Sequence, residues 1–472
     1  MNSSLVKITD NTVSKYFIKK ISNKKTKSGK NLLEQYFYCY FSNTVTDEMK
    51  SFLNYKTNIF NFFMKGFEKT MVRNLPRERN AERLHFFAIR ASRALSAGIR
   101  AVPNYGLREP LVYDNPLHVT WNITNKCNLN CIHCSQNSGK KTSAELTLNE
   151  KLDVVNQLAD ANCAVILFCG GEPLLSKDFF KVARYACRKG LVLEVVTNGT
   201  LITKNIAKKI SKIGIDYIAV SLDGAKKKTH EKIRGKGTYD KTIRGIKNCL
   251  QEDIKTLIST TLIKYNYKEI DDIIELAKGL GAERVSLVDF VPVGRGNKIS
   301  HLDLPPEIRY KILKNFSKKK LEENDLGLFS TMPQFGGMVK EVILNNNSNK
   351  IFNFQNIGAE ISNKRISDIH TCGCESGRLS LGIDPNGDIK PCFLMNVVVG
   401  NTRKDRIIDI WSNSEILKSL RTRENLKGAC GSCENKYICG GCRSRALAYL
   451  GDLKAPDPGC IKNVELWNKI KR

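Results

Sequence analysis

The sequence has no run of about 18 apolar residues, so it predicts no membrane-spanning helix. Near its start, Lys15, Lys19 and Lys20 leave no room for the apolar core of a secretory signal peptide. Its 16 cysteines, without a secretion signal, are more typical of metal ligation in a reducing compartment than of disulfides. We therefore expect a cytoplasmic protein.

Acidic residues are few, with 47 Asp and Glu against 76 Lys and Arg, and the net charge is +29. A nucleic-acid-binding protein would explain this charge, but no interleaved aromatic and basic motif and no zinc-finger spacing accompanies it. We interpret the charge as a lysine-rich solvated surface, whose field would also attract an acidic substrate. No nucleic-acid partner is expected.

Three cysteines, Cys127, Cys131 and Cys134, lie within one short segment. Their spacing brings three thiolates together without a fourth ligand nearby. A four-iron cluster held by three cysteines keeps one iron open, and an open position is typical of catalytic metal sites. The alternative is half of a zinc site whose fourth ligand lies elsewhere.

The residues around this loop follow a recognisable order. A predicted strand at 117–124 precedes it, and a second at 164–168 leads into Cys169-Gly170-Gly171-Glu172-Pro173. Two glycines allow a close backbone approach to a ligand, and the Glu172 carboxylate suits an ammonium group. This order of a strand, a cysteine loop, a helix, a second strand and Gly-Gly-Glu-Pro resembles that of the radical S-adenosylmethionine (SAM) enzymes. Cys169 is interpreted as a small buried filler.

The resemblance implies a mechanism and a set of site residues. Cys127, Cys131 and Cys134 would hold a catalytic [4Fe-4S] cluster, and the methionine part of SAM would occupy its open iron. The amine of SAM would be bound by the next motif, formed by Gly170, Gly171, Glu172 and Pro173. Such enzymes cleave SAM reductively to a 5′-deoxyadenosyl radical, which takes hydrogen from a small-molecule or peptide substrate. A low-potential donor such as ferredoxin or flavodoxin would supply the electron.

Strand and helix patterns alternate from about residue 117 to 291. Strands are predicted at 117–124, 164–168, 191–197, 216–222, 256–263 and 284–290, and helices at 148–161, 179–189, 205–213, 238–252 and 269–279. Six such units predict an α/β fold with a parallel sheet and its active site at the carboxyl ends of the strands. The resemblance makes this a partial (β/α)6 TIM-like barrel.

Other strand ends carry further candidate SAM contacts. Asn198 closes the third strand, and Ser221 and Asp223 close the fourth. In similar enzymes this serine and aspartate lie near the ribose and carboxylate of SAM, although Ser-Leu-Asp-Gly is also a common turn. Arg234 would pair with the SAM carboxylate or form a surface salt bridge. Gly294-Arg295-Gly296 would help to close the pocket.

A second group of cysteines occupies the last hundred residues: Cys372, Cys374, Cys392, Cys430, Cys433, Cys439, Cys442 and Cys460. Eight cysteines suffice for two four-iron clusters, and two structural zinc sites are the alternative. The pattern resembles the SPASM extension, which carries two auxiliary clusters. Its crossed ligand arrangement would place Cys442 with Cys374 and Cys392 on one cluster. The only local candidate for the fourth ligand of that cluster is Cys372. The other cluster would be held by Cys430, Cys433, Cys439 and Cys460.

The segment from Cys439 to Cys460 has a narrower resemblance. It is similar to SPASM enzymes of alternative heme synthesis and of the denitrification heme, which remodel propionates on an iron tetrapyrrole. Peptide- and cofactor-maturing relatives share the same tail. Three hypotheses follow: a tetrapyrrole enzyme, a SPASM maturase, or, from another class, a basic zinc-binding nucleic-acid protein.

Four parts are predicted along the chain. Residues 1–115 form a basic, mainly helical N-terminal extension, 116–300 the radical SAM barrel, 301–370 a variable bridging segment, and 371–472 the SPASM domain with the auxiliary clusters. The extension contains an amphipathic helix from about Asn80 to Arg100, ended by Pro103 and Gly106. This helix would pack on the neighbouring domain or make peripheral contact with a membrane.

Overall fold

The computed structural model describes residues 33–35, 37–38, 81–105, 112–139, 144–323, 325–345, 352–353, 360–361 and 373–471. The strands are β1 (His118–Asn122), β2 (Val165–Cys169), β3 (Val192–Thr197), β4 (Tyr217–Ser221), β5 (Thr256–Thr261), β6 (Arg284–Val288), β7 (Gly327–Ser330), β8 (Phe352–Asn353), β9 (Glu360–Ile361), β10 (Ser380–Ile383), β11 (Asp388–Lys390) and β12 (Gly400–Asn401). The helices from the extension through the barrel are α1 (Ala81–Tyr105), α2 (Leu148–Asp160), α3 (Phe179–Arg188), α4 (Lys204–Ile213), α5 (Lys227–Arg234), α6 (Tyr239–Leu250), α7 (Ile270–Leu280), α8 (Pro306–Glu322) and α9 (Gln334–Asn345). The tail adds α10 (Ile407–Asn413), α11 (Glu415–Arg421), α12 (Gly428–Gly431), α13 (Arg443–Leu450) and α14 (Val464–Lys471).

The central sheet confirms the predicted α/β fold. Strands β1 to β6 lie side by side in chain order and pair in parallel, each within a few residues of its predicted position. Parallel neighbours need a crossover connection, which α2, α3, α4, α6 and α7 provide. The carboxyl ends of these strands therefore lie along one edge, where the candidate site residues are found.

The sheet continues beyond the six predicted strands. Strand β7 pairs in parallel with β6, with Ser286 opposite Phe329, and it lies between α8 and α9. The sequence predicted a variable bridging segment over residues 301–370. The apolar residues Leu313, Phe316 and Leu321 of α8 are nevertheless buried.

The cysteine-rich tail joins the same sheet from its other side. Strand β10 pairs in parallel with β1, with Val119 opposite Leu381, and the antiparallel strands β11 and β12 extend the sheet further. Cys374 precedes this hairpin and Cys392 follows it. The hairpin thus brings two tail cysteines to the side of the barrel.

Side chains on alternating strand positions explain why the barrel interior is open. Val285 and Leu287 of β6 belong to the apolar core, whereas Ser286 between them lines a cavity. The same alternation places Thr120 and Ser259 on the cavity wall. Small hydroxyl side chains fill less of the barrel interior than the bulky residues that usually pack there.

Helix α1 packs against the barrel and runs further than predicted. Ile89 contacts the cluster that contains Val165, Val192 and Tyr217, which begin three neighbouring strands. The helix continues through Pro103 to Tyr105, so the predicted end was wrong. A proline this close to a helix end removes only one backbone donor from the final turns. In the described ranges, no helix has both the length and the apolar character needed to cross a membrane.

Candidate functional site: a cavity between two groups of cysteines

The three-cysteine loop follows β1 and is held by two other strand-end loops. The Ile132 N–H donates to the Ile233 carbonyl (3.0 Å), beyond β4. Arg295 lies in the loop after β6 and donates two hydrogen bonds to the cysteine loop. Its Nε donates to the Cys131 carbonyl (2.9 Å), and its backbone N–H donates to the Cys134 carbonyl (2.9 Å). The Gly-Arg-Gly segment therefore supports the cysteine loop directly.

Glycines permit the close packing around this loop. Gly294 has φ +60°, and a β-carbon there would lie 2.3 Å from the Ser135 carbonyl oxygen. A β-carbon on Gly171 would lie 2.1 Å from the Lys126 carbonyl oxygen. The two glycines of Gly-Gly-Glu-Pro thus bring the end of β2 against the backbone of the cysteine loop. Gly170 and Gly171 also line the cavity.

The three thiols are grouped beside a cation. Burial raises the pKa of Cys131 to about 11, with smaller increases from Asp223, Cys134 and Cys127, while Arg234 lowers it. No three His, Cys, Asp or Glu side chains in the described segments are grouped closely enough to bind one metal ion. A four-iron cluster is larger than a single ion, and three thiols beside a guanidinium form a donor set that fits it.

The Glu172 carboxylate is directed toward donors at the end of β3 rather than toward the cavity. This fully buried carboxylate accepts hydrogen bonds from Thr197 Oγ1 (2.8 Å), Asn198 N (2.9 Å) and Leu174 N (3.3 Å). Burial raises the pKa of Glu172, and these hydrogen bonds oppose the increase. The carboxylate joins the ends of β2 and β3, which differs from the expected open position beside an ammonium group. Pro173 is buried and begins the short 3-10 turn that follows.

Asp223 and Arg234 form a buried ion pair below the cysteine loop. The Nε atom of Arg234 lies 2.6 Å from Asp223 Oδ2. The Nε2 atom of His133 lies 2.9 Å from the same oxygen. Burial alone would raise the pKa of Asp223, but Arg234 and His133 together hold it well below its usual range. Arg234 is 9% exposed, and its Nη1 lies 4.0 Å from Cys131 Sγ. The surface salt bridge considered for Arg234 was therefore wrong.

The remaining candidate SAM contacts lie nearby. Asn198 and Ser221 line the cavity, and Asn198 Nδ2 also donates to Asn128 Oδ1 of the cysteine loop (2.9 Å). His133 was missed by sequence reasoning, although its position between two cysteines was a usable signal. The sequence predicted only that the segment around Arg295 would help to close the pocket, and it did not predict the contact of Arg295 with the cysteine loop.

Three tail cysteines, Cys374, Cys392 and Cys442, line the same cavity. Burial raises the pKa of Cys392, and Cys374 is among the neighbours that raise it further. Burial also raises the pKa of Cys442 well above its usual value, again with a contribution from Cys374. The Cys374 N–H donates to the Cys439 carbonyl (2.9 Å), which connects this group to the next.

A second tail group contains Cys430, Cys433, Cys439 and Cys460. Burial raises the pKa of Cys460 to about 12, with smaller contributions that include Cys430 and Cys433. Burial raises the pKa of Cys439, and the thiolates of Cys460 and Cys430 add to the increase. The thiols that raise the pKa of Cys439 and Cys460 belong to this second group, and the thiol that raises the pKa of Cys392 and Cys442 is Cys374. Cys372 lies outside the described residues.

One cavity of about 500 Å³ connects the cysteine loop with the first tail group. Its wall includes Cys127, Cys131, Cys134, Gly170, Gly171, Asn198, Ser221, Arg234, Cys374, Cys392 and Cys442. A reactant in this cavity would lie between two groups of potential iron ligands. The residues that line this cavity fit an enzyme that binds iron–sulfur clusters.

Comparison with known proteins gives the family. Residues 121–277 match the Radical SAM superfamily, and residues 372–434 match SPASM, an iron-sulfur cluster-binding domain. An AdoMet-dependent heme synthase from Methanosarcina barkeri is 34% identical over 349 residues, which cover 73% of this chain and 96% of the relative. The chain belongs to the radical SAM enzymes with a SPASM domain, whose cofactors are SAM and [4Fe-4S] clusters.

Other relatives have different roles. Mycofactocin maturase MftC from Mycobacterium tuberculosis is 28% identical over 355 residues, covering 74% of this chain and 84% of the relative. A crystal structure of Streptococcus suis SuiB bound to S-adenosylmethionine has the same fold, with a TM-score of 0.64 and 16% identity. It covers 91% of this chain and 92% of SuiB. Family membership excludes the zinc-binding nucleic-acid alternative.

Proposed function

We propose that this radical SAM enzyme acts on a propionate side chain of an iron tetrapyrrole. The observation that carries the proposal is the single cavity shared by the cysteine loop and by Cys374, Cys392 and Cys442. A substrate held there would lie close to the site of hydrogen removal and to an acceptor for the electron that remains. The heme synthase relative favours a tetrapyrrole as that substrate.

Cys127, Cys131 and Cys134 would hold the catalytic cluster. When bound, the cluster and SAM supply a 5′-deoxyadenosyl radical that takes a hydrogen atom from the substrate. The chain orients these reactants and excludes water from them. Arg295 holds the cysteine loop through the Cys131 carbonyl, and the Asp223–Arg234 pair supports it from below.

SAM would be held by the strand ends around the cysteine loop. The guanidinium of Arg234 lines the cavity and would pair with the SAM carboxylate, while Asn198 and Ser221 would contact the ribose. Glu172 would fix the ends of β2 and β3, so that Gly170 and Gly171 present their backbone to the amine. Glu172 is thus proposed as a positioning residue.

The tail would hold two auxiliary clusters. The cluster beside the cavity would be bound by Cys372, Cys374, Cys392 and Cys442. The other cluster would be bound by Cys430, Cys433, Cys439 and Cys460. A low-potential ferredoxin or flavodoxin would provide the electron for SAM cleavage. Its attraction to this chain is favoured by the net charge of +29.

Charged groups on the cavity wall favour a substrate with carboxylates. The cationic side chains on the wall are Arg234, Arg284, Arg295 and Lys320. Two of the carboxylates on the wall already have partners, since Glu194 pairs with Arg90 and Asp289 pairs with Arg309. Arg234 pairs with Asp223, so the positive charge that propionates would meet comes from cations such as Arg295, which donates to the Cys131 and Ser138 carbonyls.

The proposal is tested by titrating the reconstituted protein with an iron coproporphyrin and following its absorbance. We expect saturable binding that weakens as salt rises, because exposed charges are screened over about 10 Å at 0.1 M ionic strength. The matched ligand control is the same porphyrin with its carboxylates esterified, which should bind more weakly. Absence of saturable binding, together with no porphyrin-dependent 5′-deoxyadenosine, would instead favour a peptide substrate, as in a maturase.

A further inference from the structure

Two buried arginines of the tail lie against its cysteines, and neither forms a salt bridge with a carboxylate in the part of the chain that the structure describes. Arg423 is 2% exposed and Arg443 is 1% exposed. A buried guanidinium without a counter-charge is strongly unfavourable. Arg445 is also buried, but it has carboxylate counter-charges: its guanidinium lies 3.0 Å from Asp303 and 3.2 Å from Asp457.

Arg443 directs its donors at backbone carbonyls and one cysteine. It donates to the carbonyl oxygens of Gly441 (3.2 Å), Leu453 (3.0 Å) and Ala455 (2.7 Å). Its Nη2 lies 3.8 Å from Cys430 Sγ. The carbonyls satisfy its hydrogen bonds but carry no net charge. The anionic group in contact is therefore the Cys430 sulfur, whereas the Asp457 carboxylate acts from farther away and already pairs with Arg445.

Arg423 lies between the two tail groups. Its Nη2 donates to the Cys374 carbonyl (2.7 Å), and its Nε has no hydrogen-bond partner among the residues that the structure describes. Burial lowers the pKa of Arg423 to about 10, while Cys374 and Cys439, one from each group, act in the opposite direction. An anionic centre beside these cysteines would restore the missing counter-charge.

The turn Cys439-Gly440-Gly441-Cys442 forms the contact surface for both arginines. A β-carbon on Gly440 would lie 2.3 Å from the Arg423 guanidinium carbon. A β-carbon on Gly441 would lie 2.5 Å from Arg443 Nη2. Because only glycine leaves this space, both guanidiniums pack closely against the turn that separates one cysteine of each group.

We propose that Arg423 and Arg443 are the counter-cations of the two auxiliary clusters and raise their reduction potentials. A buried cation stabilises the reduced, more negative state of a thiolate-bound cluster, and charge near the sulfurs is a known determinant of potential. Arg443 acts on the group of Cys430, whereas Arg423 acts on both groups. This inference rests on the cluster ligands proposed above. Higher potentials make the tail a better acceptor for the substrate's electron.

The experiment compares charge-removing and charge-preserving variants of the reconstituted full chain. Reduction potentials are measured under anaerobic conditions by a redox titration followed by electron paramagnetic resonance. Arg443→Met should shift one auxiliary cluster to a more negative potential, and Arg423→Met should shift both. Arg443→Lys and Arg423→Lys should retain most of the wild-type values. The catalytic cluster should change in none of them.

Arg421 provides the matched control. It is also buried, but it donates to the carbonyls of Gly377 and Trp411 and to the Tyr105 hydroxyl, without contacting a cysteine. Arg421→Met should destabilise the fold without shifting the potentials of the clusters that assemble. A shift as large as that of Arg443→Met would overturn the proposal.

Iron content separates failure of the proposal from failure of the ligand assignment. Three clusters correspond to about twelve irons per wild-type chain; only four irons would refute the auxiliary clusters themselves. Unchanged potentials in both methionine variants with full iron would overturn the role of the arginines alone. If the methionine variants lose iron, recovery in the lysine variants supports charge compensation, and equal loss in the lysine variants overturns it.

Discussion

At the scale of single residues, the Glu172 carboxylate connects two strand ends beside the proposed SAM site. Glu172→Ala removes the acceptor for Asn198 N and Thr197 Oγ1. We expect SAM binding to weaken, because Gly170 and Gly171 would lose the support that presents their backbone to SAM. The upper limit is about 1.5–3 kcal/mol, the range for a hydrogen bond to a charged group. Equilibrium binding of SAM measures this effect, and unchanged affinity would exclude any role for Glu172 in SAM binding.

His230 makes stability depend on pH. It is fully buried, burial lowers its pKa to about 4, and its Nδ1 accepts a hydrogen bond from Asp223 N (3.2 Å). Because the pKa is lower in the folded state than the ordinary 6.5, the neutral ring contributes stability above pH 6.5. That contribution falls as pH drops toward 4, by up to about 3 kcal/mol at 1.36 kcal/mol per pH unit.

Unfolding free energies of the wild type and of His230→Gln between pH 7 and 4 test this dependence. The variant should have a smaller decrease over that interval, because glutamine does not titrate. Equal decreases in both proteins would show that His230 is not responsible.

The sequence predicted the residues of the site better than their orientations. The three-cysteine loop and the two glycines of Gly-Gly-Glu-Pro follow from spacing along the chain, and Cys127, Gly170 and Gly171 are among the residues that line one cavity. The inward direction of Glu172 depends on donors at the end of β3, and the pairing of His133 with Asp223 joins two loops. Such contacts between separate strand ends leave no signal in local spacing.

At the scale of elements, the loop after β6 supports the cysteine loop through Gly294. Gly294→Ala would place a β-carbon 2.3 Å from the Ser135 carbonyl oxygen. We expect displacement of the cysteine loop and loss of about four irons per chain, because one cluster would no longer be held. Gly281→Ala is the matched control, since its φ is also positive (+84°) and nothing lies within 4 Å of the added carbon.

Iron analysis and thermal unfolding distinguish the two glycine variants. Both should be less stable because alanine is strained at positive φ, but only Gly294→Ala should lose iron. Equal iron content in the two variants would contradict a supporting role for this loop.

Strands with strong apolar patterns were predicted closely, whereas β7 and the extra turn of α1 were not. Apolar runs such as 216–222 mark a buried strand through their own composition. Strand β7 is only four residues long and follows a lysine-rich helix, so its pairing with β6 becomes evident only in the sheet. The end of α1 could not be read from Pro103, because this proline is tolerated in the final turns.

At the scale of the whole molecule, the tail shares a sheet with the barrel through β1 and β10. This pairing brings the first tail group to the wall of the cavity that the cysteine loop also lines. The crossed grouping of tail cysteines was implied by family resemblance and stays a prediction. The shared cavity itself was not predictable, since it depends on contacts between residues separated by about 250 positions, such as Gln136 and Phe393.

The most direct test of the proposed function is the formation of 5′-deoxyadenosine under anaerobic conditions with SAM, a reductant and iron coproporphyrin. The wild type should form it in a porphyrin-dependent manner. A variant combining Cys127→Ala, Cys131→Ala and Cys134→Ala should form none, while iron remains in the tail. Retained SAM cleavage in that variant would contradict the central role of the three-cysteine loop.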